Sequence, residues 1–335
     1  HKGWCIVAAF LVCNLVATVW IAWITVPGAI TAIALNALQM YAILMLFIKS
    51  RRHFKGALPY LFLMAMWLAW ERIYQNIEIS WPWLILGNSF ATSPKLVQWY
   101  EYTGFLGGSL WVLLSNILIY GLIRSWRRRD GGNLCKRRII SLSVATLLCI
   151  AVPAVVSWAI YSNYDETDNP IEVLAIQPNI DSVHEKHGGL AQTRQDSIMM
   201  AMVGREATEN TRYVITPETF TYQVNLDMPE ANCTIRTVTE YMQAHPGQQF
   251  VLGALAHRFF DSKLEAGQDA SPLGDYWYLA YNSALMVDSE GLVNCYHKSK
   301  LVPGTEIIPY GRYIPLIGKL ITLFGGGWAT MGTMD

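Results

Sequence analysis

The chain has 335 residues, of which 53% are hydrophobic and 15% charged, and its 25 basic and 25 acidic side chains cancel to zero net charge. A chain this apolar and poor in charge is not an ordinary soluble protein. The excess lies almost wholly in the first half. The sequence begins at His1 rather than Met and reads as a fragment or a processed product, and no signal-peptide cleavage pattern follows the first apolar run.

Five apolar runs follow in order, at about 4–25, 29–48, 57–76, 104–123 and 139–161. Each comes near the roughly 20 residues that cross a bilayer. Short charged or Pro/Gly breaks separate them, so a bundle of about five transmembrane helices is expected over residues 1–161. Lys49, Arg51, Arg52 and Lys55 crowd one connection, and Arg124, Arg127, Arg128, Arg129, Lys136, Arg137 and Arg138 crowd another. The connection between them, 77–103, holds only Lys95, and no Lys or Arg follows residue 161 until Lys186. Lys and Arg collect in cytoplasmic loops, so the two basic loops are expected inside and residues 162–335 outside. A juxtamembrane cluster such as Arg127–Arg129 fixes topology, and no nucleic-acid partner is expected.

Glu71 and Arg72 fall late in the third run. Charges there face a bundle interior or a cavity, pair with each other, or reach water at the helix end. Gly104 and Gly108 have a small-xxx-small spacing that suits close helix packing. Trp81, Trp83, Trp99, Tyr100 and Tyr102 bracket the outer loop as an interfacial aromatic belt does, and a lipid-binding rim would use the same residues.

Composition changes at 162–170, Ser-Asn-Tyr-Asp-Glu-Thr-Asp-Asn-Pro, which reads as a linker. Beyond it, strands are expected at 172–177, 212–216 and 249–255, helices at 188–208 and 229–245, and a hairpin at 282–287 and 292–296 around Asp288-Ser-Glu-Gly291. Strands alternating with helices indicate an α/β layer structure over 171–335. Glu218 and Lys298 each come just after a strand, where loops on a rigid sheet carry catalytic groups. Pro217 fixes the backbone before Glu218.

The words around these two residues resemble a known family. The segment 171–313 resembles the nitrilase, or carbon–nitrogen hydrolase, superfamily, and the whole chain resembles the bacterial apolipoprotein N-acyltransferases, which join a membrane bundle to an outward-facing nitrilase-like domain. Four passages carry the resemblance: Ser80-Trp-Pro-Trp-Leu-Ile-Leu-Gly87 with Tyr102-Thr-Gly-Phe-Leu-Gly-Gly-Ser109; Ala175-Ile-Gln-Pro-Asn-Ile180; Ile215-Thr-Pro-Glu-Thr219; and Tyr281-Asn-Ser283 with Tyr296-His-Lys-Ser-Lys-Leu-Val-Pro303 and Glu306-Ile-Ile-Pro309. The fold implied is an α-β-β-α sandwich, incomplete at the C-terminus. Glu218 is implied as general base and Lys298 as the oxyanion-stabilising ammonium, with Glu306, Tyr296 and Asn282 as supporting residues. Lys300, where the family usually has histidine, is the lesser candidate for the lysine.

Two departures stand out. His184-Glu185-Lys186-His187 occupies the place where many relatives carry a tryptophan. The family's nucleophilic cysteine is expected beyond Asp335, followed by a last membrane helix, so the chain as given is expected to be inactive. Cys5, Cys13 and Cys149 lie in apolar runs, Cys135 on a basic loop, Cys233 where a helix opens and Cys295 on a strand. No spacing suggests a zinc site or a deducible disulfide, and His184 and His187 read as surface histidines. Gly325–Gly327 lacks the Gly-Lys-Ser/Thr of a phosphate loop. The apolar stretch 314–324 is either a core helix or an arm that dips into the membrane.

The resemblance implies transfer of an acyl chain from a phospholipid to the N-terminal amine of a diacylglyceryl-modified lipoprotein, through a cysteine thioester and without a cofactor or metal. The expected place is the bacterial inner membrane with the catalytic domain on the periplasmic side. A membrane-tethered amidase and a non-catalytic lipid- or partner-binding protein are the alternatives.

Overall fold

A computed structural model describes residues 2–23, 25–127, 133–181, 185–186, 189–311, 313–314, 316 and 331–333. The chain divides into two compact units, His1–Thr167 and Asp168–Asp335.

The first unit is helical: α1 (Lys2–Thr18, continued by a 3-10 turn Val19–Trp23), α2 (Val26–Ser50), α3 (Leu58–Tyr74), α4 (Tyr100–Arg127) and α5 (Asn133–Ser162). These follow the five apolar runs. The segments Gly3–Trp23, Val26–Ser50, Tyr100–Arg127 and Cys135–Ser162 are long and apolar enough to cross a membrane. α3 has 17 residues, a rod of about 26 Å. Local chemistry sets the ends: Thr25 caps α2, its hydroxyl accepting from Gly28 N at 3.4 Å, and Pro27 sits in the first turn, where a missing N–H costs nothing.

Glu71 turns inward, 5% exposed, while Arg72 is exposed. One carboxylate oxygen of Glu71 accepts from the Trp67 indole at 3.0 Å and from Leu86 N at 3.0 Å. A buried carboxylate is tolerated only where donors replace its lost water. Here the Leu86 donor ties α3 to the 3-10 segment Leu86–Phe90, and the Trp67 donor orients the carboxyl from within α3. The same segment meets α4. Gly87 N donates to Ser109 Oγ at 2.9 Å, and Tyr100 Oη donates to Gly87 O at 2.9 Å. A β-carbon on Gly87 would lie 1.9 Å from Phe105 O, and one on Gly108 would lie 1.7 Å from the Tyr100 hydroxyl. The glycines of the two membrane passages therefore serve close packing, of a loop on a helix. Gly104 takes φ +62° and kinks α4. Of the aromatic belt, Trp83 and Tyr102 stay exposed, and Trp81 and Trp83 form a cluster with Trp20 at centroid distances of 6.2, 6.3 and 5.6 Å.

The second unit is a seven-stranded mixed sheet with helices: β1 (Glu172–Ala175), α6 (Gln192–Glu206), β2 (Thr211–Ile215), β3 (Thr221–Asn225), α7 (Cys233–Ala244), β4 (Gln249–Phe260), α8 (Lys263–Ala266), β5 (Ser271–Leu273), β6 (Tyr276–Asp288) and β7 (Gly291–His297). The order is β1-β2-β4-β6-β5, with β3 also on β4 and β7 also on β6. β1, β2, β3 and β4 run parallel, and β4–β6, β5–β6 and β6–β7 antiparallel. Together the units give a helical membrane bundle followed by a nitrilase-like α/β domain.

Periodicity explains the helices. Met199 and Val203 on α6, and Ile235, Val238 and Met242 on α7, recur every three or four residues and are fully or nearly fully buried against Val214, Phe250, Leu252 and Leu285 of the sheet. Asn232 caps α7, accepting from Thr234 N at 3.0 Å and Ile235 N at 3.3 Å. The structure adds β3 and β5 to the expected strands, extends the third expected strand to Phe260 and starts the hairpin at Tyr276. β3 has no clean alternation because Gln223 takes φ +56° and its register on β4 shifts between Thr221 and Val224.

Replacing Glu71 by Ala strands the Trp67 and Leu86 donors. The expected loss is roughly 1–3 kcal/mol, read as a fall in melting temperature in detergent, with Glu71→Gln losing less.

Candidate active site

The site is built where two crossings of the sheet meet. After β2, Thr216 N donates to Val251 O at 3.0 Å and Gly253 N donates to Thr216 Oγ1 at 3.0 Å, pinning the chain to β4 as it leaves the ladder. Pro217, Glu218 and Thr219 then turn back into β3. Thr219 takes φ +50°, an uncommon conformation for a β-branched residue, and Phe220, 2% exposed, anchors the return. A β-carbon at Gly253 would stand 2.0 Å from Pro217 O and 2.8 Å from Glu218 Cα. Glycine is required there because the backbone carrying Glu218 lies directly on β4.

The second crossing is the β6–β7 hairpin. Ser283 pairs with His297, and Lys298 N donates to Asn282 O at 2.8 Å, which carries the ladder one step past the strand end. Asn282 and Lys298 are thereby neighbours across the hairpin. The turn beyond is closed by Gly304 N on Ile307 O at 2.8 Å and by Glu306 N on Val302 O at 3.0 Å, and it returns Glu306 to the same place.

Four side chains converge. Lys298 Nζ lies 2.8 Å from Glu218 Oε1 and 3.0 Å from Glu306. Asn282 Nδ2 donates to Glu218 Oε1 at 2.5 Å and to Glu306 Oε1 at 2.7 Å. Val302 N donates to Glu306 Oε2 at 2.7 Å. Asn282 is buried, 4% exposed, and the Glu306 side chain is mostly covered, 13% exposed, whereas the Glu218 side chain is 60% exposed. Glu306 and Asn282 thus form the floor, and Glu218 and Lys298 the open face. Tyr296 lies two residues before Lys298 on the same strand face, exposed and outside the cluster. Lys300 is also exposed, and it is Lys298 that meets Glu218.

The charges support one another. The hydrogen bond from Lys298 draws the Glu218 carboxyl below its ordinary value, burial opposes this, and Asn282, Lys298 and Lys186 add to the lowering. For Lys298, burial pushes the ammonium down, but Glu218 and Glu306 more than offset it and the net shift is upward. The pair therefore stays ionised across the neutral range. Its stabilisation is lost as pH falls through the depressed value of Glu218 and, at the other end, as pH rises through the raised value of Lys298.

Some participants escaped the sequence reading. Lys186, from the passage that replaces the expected tryptophan, donates to Thr219 Oγ1 at 3.1 Å and sits 5.1 Å over the Tyr222 ring. His297 bonds Ser283 at 2.8 Å and stacks on Tyr281 at 4.0 Å. Gly253 was visible as a glycine inside an apolar strand. His184, His187 and nearly all of 314–324 lie outside the described residues. The thiols of Cys233 and Cys295 are engaged elsewhere, 3.7 Å from Asp196 Oδ2 and 3.7 Å from His297 Nδ1, and burial pushes the Cys295 thiol up.

Residues 2–118 match the family described as Apolipoprotein N-acyltransferase N-terminal domain. The chain is 28% identical over 347 aligned positions to the Apolipoprotein N-acyltransferase of Chlorobaculum tepidum, covering 98% of this chain and 60% of that protein. At this level the chain is similar to apolipoprotein N-acyltransferases. A second such protein, from Geobacter metallireducens, is 22% identical over 309 positions, covering 90% of this chain and 54% of its own length. The chain thus spans a little over half the length of the curated apolipoprotein N-acyltransferases it matches.

Substituting Gly253 by Ala forces the Pro217–Glu218 backbone off β4. Overpacking of this kind costs roughly 1–3 kcal/mol, and the expected result is a lower melting temperature together with faster proteolysis in the 216–220 turn.

Proposed function

We propose that the protein transfers an acyl chain from a membrane phospholipid to the N-terminal amine of a diacylglyceryl-modified lipoprotein, by way of a cysteine thioester. The observation that carries this reading is the placing of the Glu218 carboxylate and the Lys298 ammonium together over a floor of Asn282 and Glu306. The similarity to named N-acyltransferases supports the acyl chemistry. The bundle supports a lipid-borne substrate.

In this reading the steps are as follows. The nucleophile in this reading is a cysteine thiol. Glu218 takes the thiol proton, and the thiolate attacks the ester carbonyl of the phospholipid. An ammonium has three N–H donors. Two of them hold Glu218 and Glu306, and the third serves the tetrahedral oxyanion. Collapse breaks the ester C–O bond, Glu218 returns its proton to the leaving alkoxide, and lysophospholipid departs. The lipoprotein amine then attacks the thioester, its proton passes through Glu218, and the thiol is restored. Glu306 holds Lys298 charged and in place, and Asn282 fixes the Glu218 oxygen.

The same reading gives five spans, with α3 as the third, in a bacterial inner membrane. The basic connections at 49–55 and 124–138 lie in the cytoplasm and the unit carrying Glu218 lies outside, as the distribution of Lys and Arg requires.

In protein expressed from the complete coding sequence, Glu218→Gln and Lys298→Ala are each expected to lower acyl transfer by about 10²–10³, with the melting temperature little changed by Glu218→Gln and lowered by Lys298→Ala, which leaves Glu306 without its cation. Lys300→Ala is expected to stay within a few-fold of wild type. If Lys300→Ala removes the activity and Lys298→Ala spares it, the assignment of the lysine is wrong.

A base must be ionised to accept a proton, and Glu218 is held below its ordinary value of 4.5. The acidic limb of kcat/KM for the acylation half-reaction is therefore expected below pH 4.5. A limb near neutrality would identify a different base.

A further inference from the structure

A pocket of about 600 Å³ opens in the second unit beside the turn that carries Glu218. Its volume is that of a small-molecule site, roughly 300–1,000 Å³. Its lining is neutral but for one residue, Lys186. Tyr222, Asn232, Gln192, Gln195 and Met228 supply amides, a ring and an apolar patch around it. No carboxylate lines this pocket among the described residues. Asp196 lies behind the wall, where Thr234 and Gln192 each donate to it at 2.9 Å.

Three features point at a ligand. The Lys186 ammonium, half-buried and lining the pocket, donates to Thr219 and stands over the Tyr222 ring among the described contacts, and an ammonium carries three N–H donors. α6, a helix of 15 residues, begins at the pocket with Ala191 in the cap position, and that residue offers no side chain to the first N–H groups. Uncapped N–H groups and the positive end of a helix favour an anion. Gln195, 1% exposed, also lines the pocket. Its amide nitrogen donates to Leu190 O at 3.2 Å, while its carbonyl oxygen is buried without a partner among the described residues. A buried acceptor left open asks for a donor on the guest. The combination suits an oxyanion with a hydroxyl or ammonium beside it.

We infer that this pocket holds the phosphate of the acyl donor's headgroup, with Lys186 as its anchor and Gln195 receiving a headgroup hydroxyl or ammonium. This rests on the proposed function and names the subsite that positions the ester for it. The contact between Lys186 and Thr219, one residue past Glu218, sets the headgroup next to the base.

The test uses the protein expressed from its complete coding sequence, in mixed micelles, with two acyl donors: phosphatidylglycerol and the phosphate-free ester p-nitrophenyl palmitate. Lys186→Gln is expected to raise KM for phosphatidylglycerol about tenfold, the loss of one charge-assisted hydrogen bond, while any effect of its lost charge on Glu218 changes kcat by the same factor on both donors. Lys186→Arg is expected to restore most of the affinity. An equal effect on both donors with no KM change particular to phosphatidylglycerol would overturn the inference, because Lys186 would then act only through Glu218 or the fold. Added inorganic phosphate separates the sources. Competitive inhibition of wild type but not of Lys186→Gln means that the site takes the phosphate group from either source, and no inhibition beside the KM shift means that it takes it only as a lipid headgroup. If wild type transfers acyl chains from neither donor, the proposed function fails, and the pocket is read separately through the ³¹P resonance of inorganic phosphate. Broadening by wild type and not by Lys186→Gln supports the site, and equal broadening by both overturns it.

Discussion

Two carboxylates cannot share a small space ionised unless a cation and hydrogen-bond donors lie between them. Glu218 and Glu306 come from different turns, 88 residues apart in the chain (306 minus 218), and only Lys298 and Asn282 make their approach favourable. Everything local serves this meeting. The β6–β7 pairing sets Lys298 beside Asn282, the 302–307 turn brings back Glu306, and the β2–β4 pairing presses the Glu218 turn onto Gly253. Glu306, mostly buried, has both oxygens satisfied by Asn282, Lys298 and Val302 N. Glu218 stays open on one side. This asymmetry suits one carboxylate for holding the lysine and the other for moving a proton.

The membrane unit solves a different problem with the same means. Glu71 is placed among apolar helices, and one of its two oxygens is satisfied by an indole and a backbone N–H, while Oε2 is buried without a partner among the described residues. That backbone belongs to the segment whose Gly87 lies against α4. One carboxylate and two glycines thus organise three elements. Such contacts tolerate little change, because a β-carbon at Gly87 or Gly108 would fall within 2 Å of existing atoms.

Much of this was legible in the sequence. The five apolar runs declared the helices by length and composition, and the alternation of strands and helices declared the α/β unit. Glu218, Lys298, Glu306 and Asn282 were legible through the words around them, since a lone glutamate after a strand is more often a solvated charge. Other features were not legible, for physical reasons. β3 hides because a residue of positive φ breaks its alternation. Tyr296 looked like a site residue, yet the strand carries it about two residues' rise away from the cluster. Lys186 was invisible as a participant because its partner Thr219 lies 33 residues on, and only the sheet brings them together. Whether Glu71 paired with Arg72 or turned inward depended on which helix face met the bundle, and packing alone decides that.

The central claim is that the Glu218–Lys298 pair completes lipoproteins by N-acylation. The most direct measurement is the mass of lipoprotein N-terminal peptides from a bacterial strain depleted of its own N-acyltransferase and supplied with the complete coding sequence of this protein. The account predicts triacylated peptides with wild type and diacylated peptides with Glu218→Gln or Lys298→Ala at equal expression. Diacylated peptides with wild type, or triacylated peptides with both variants, would contradict it.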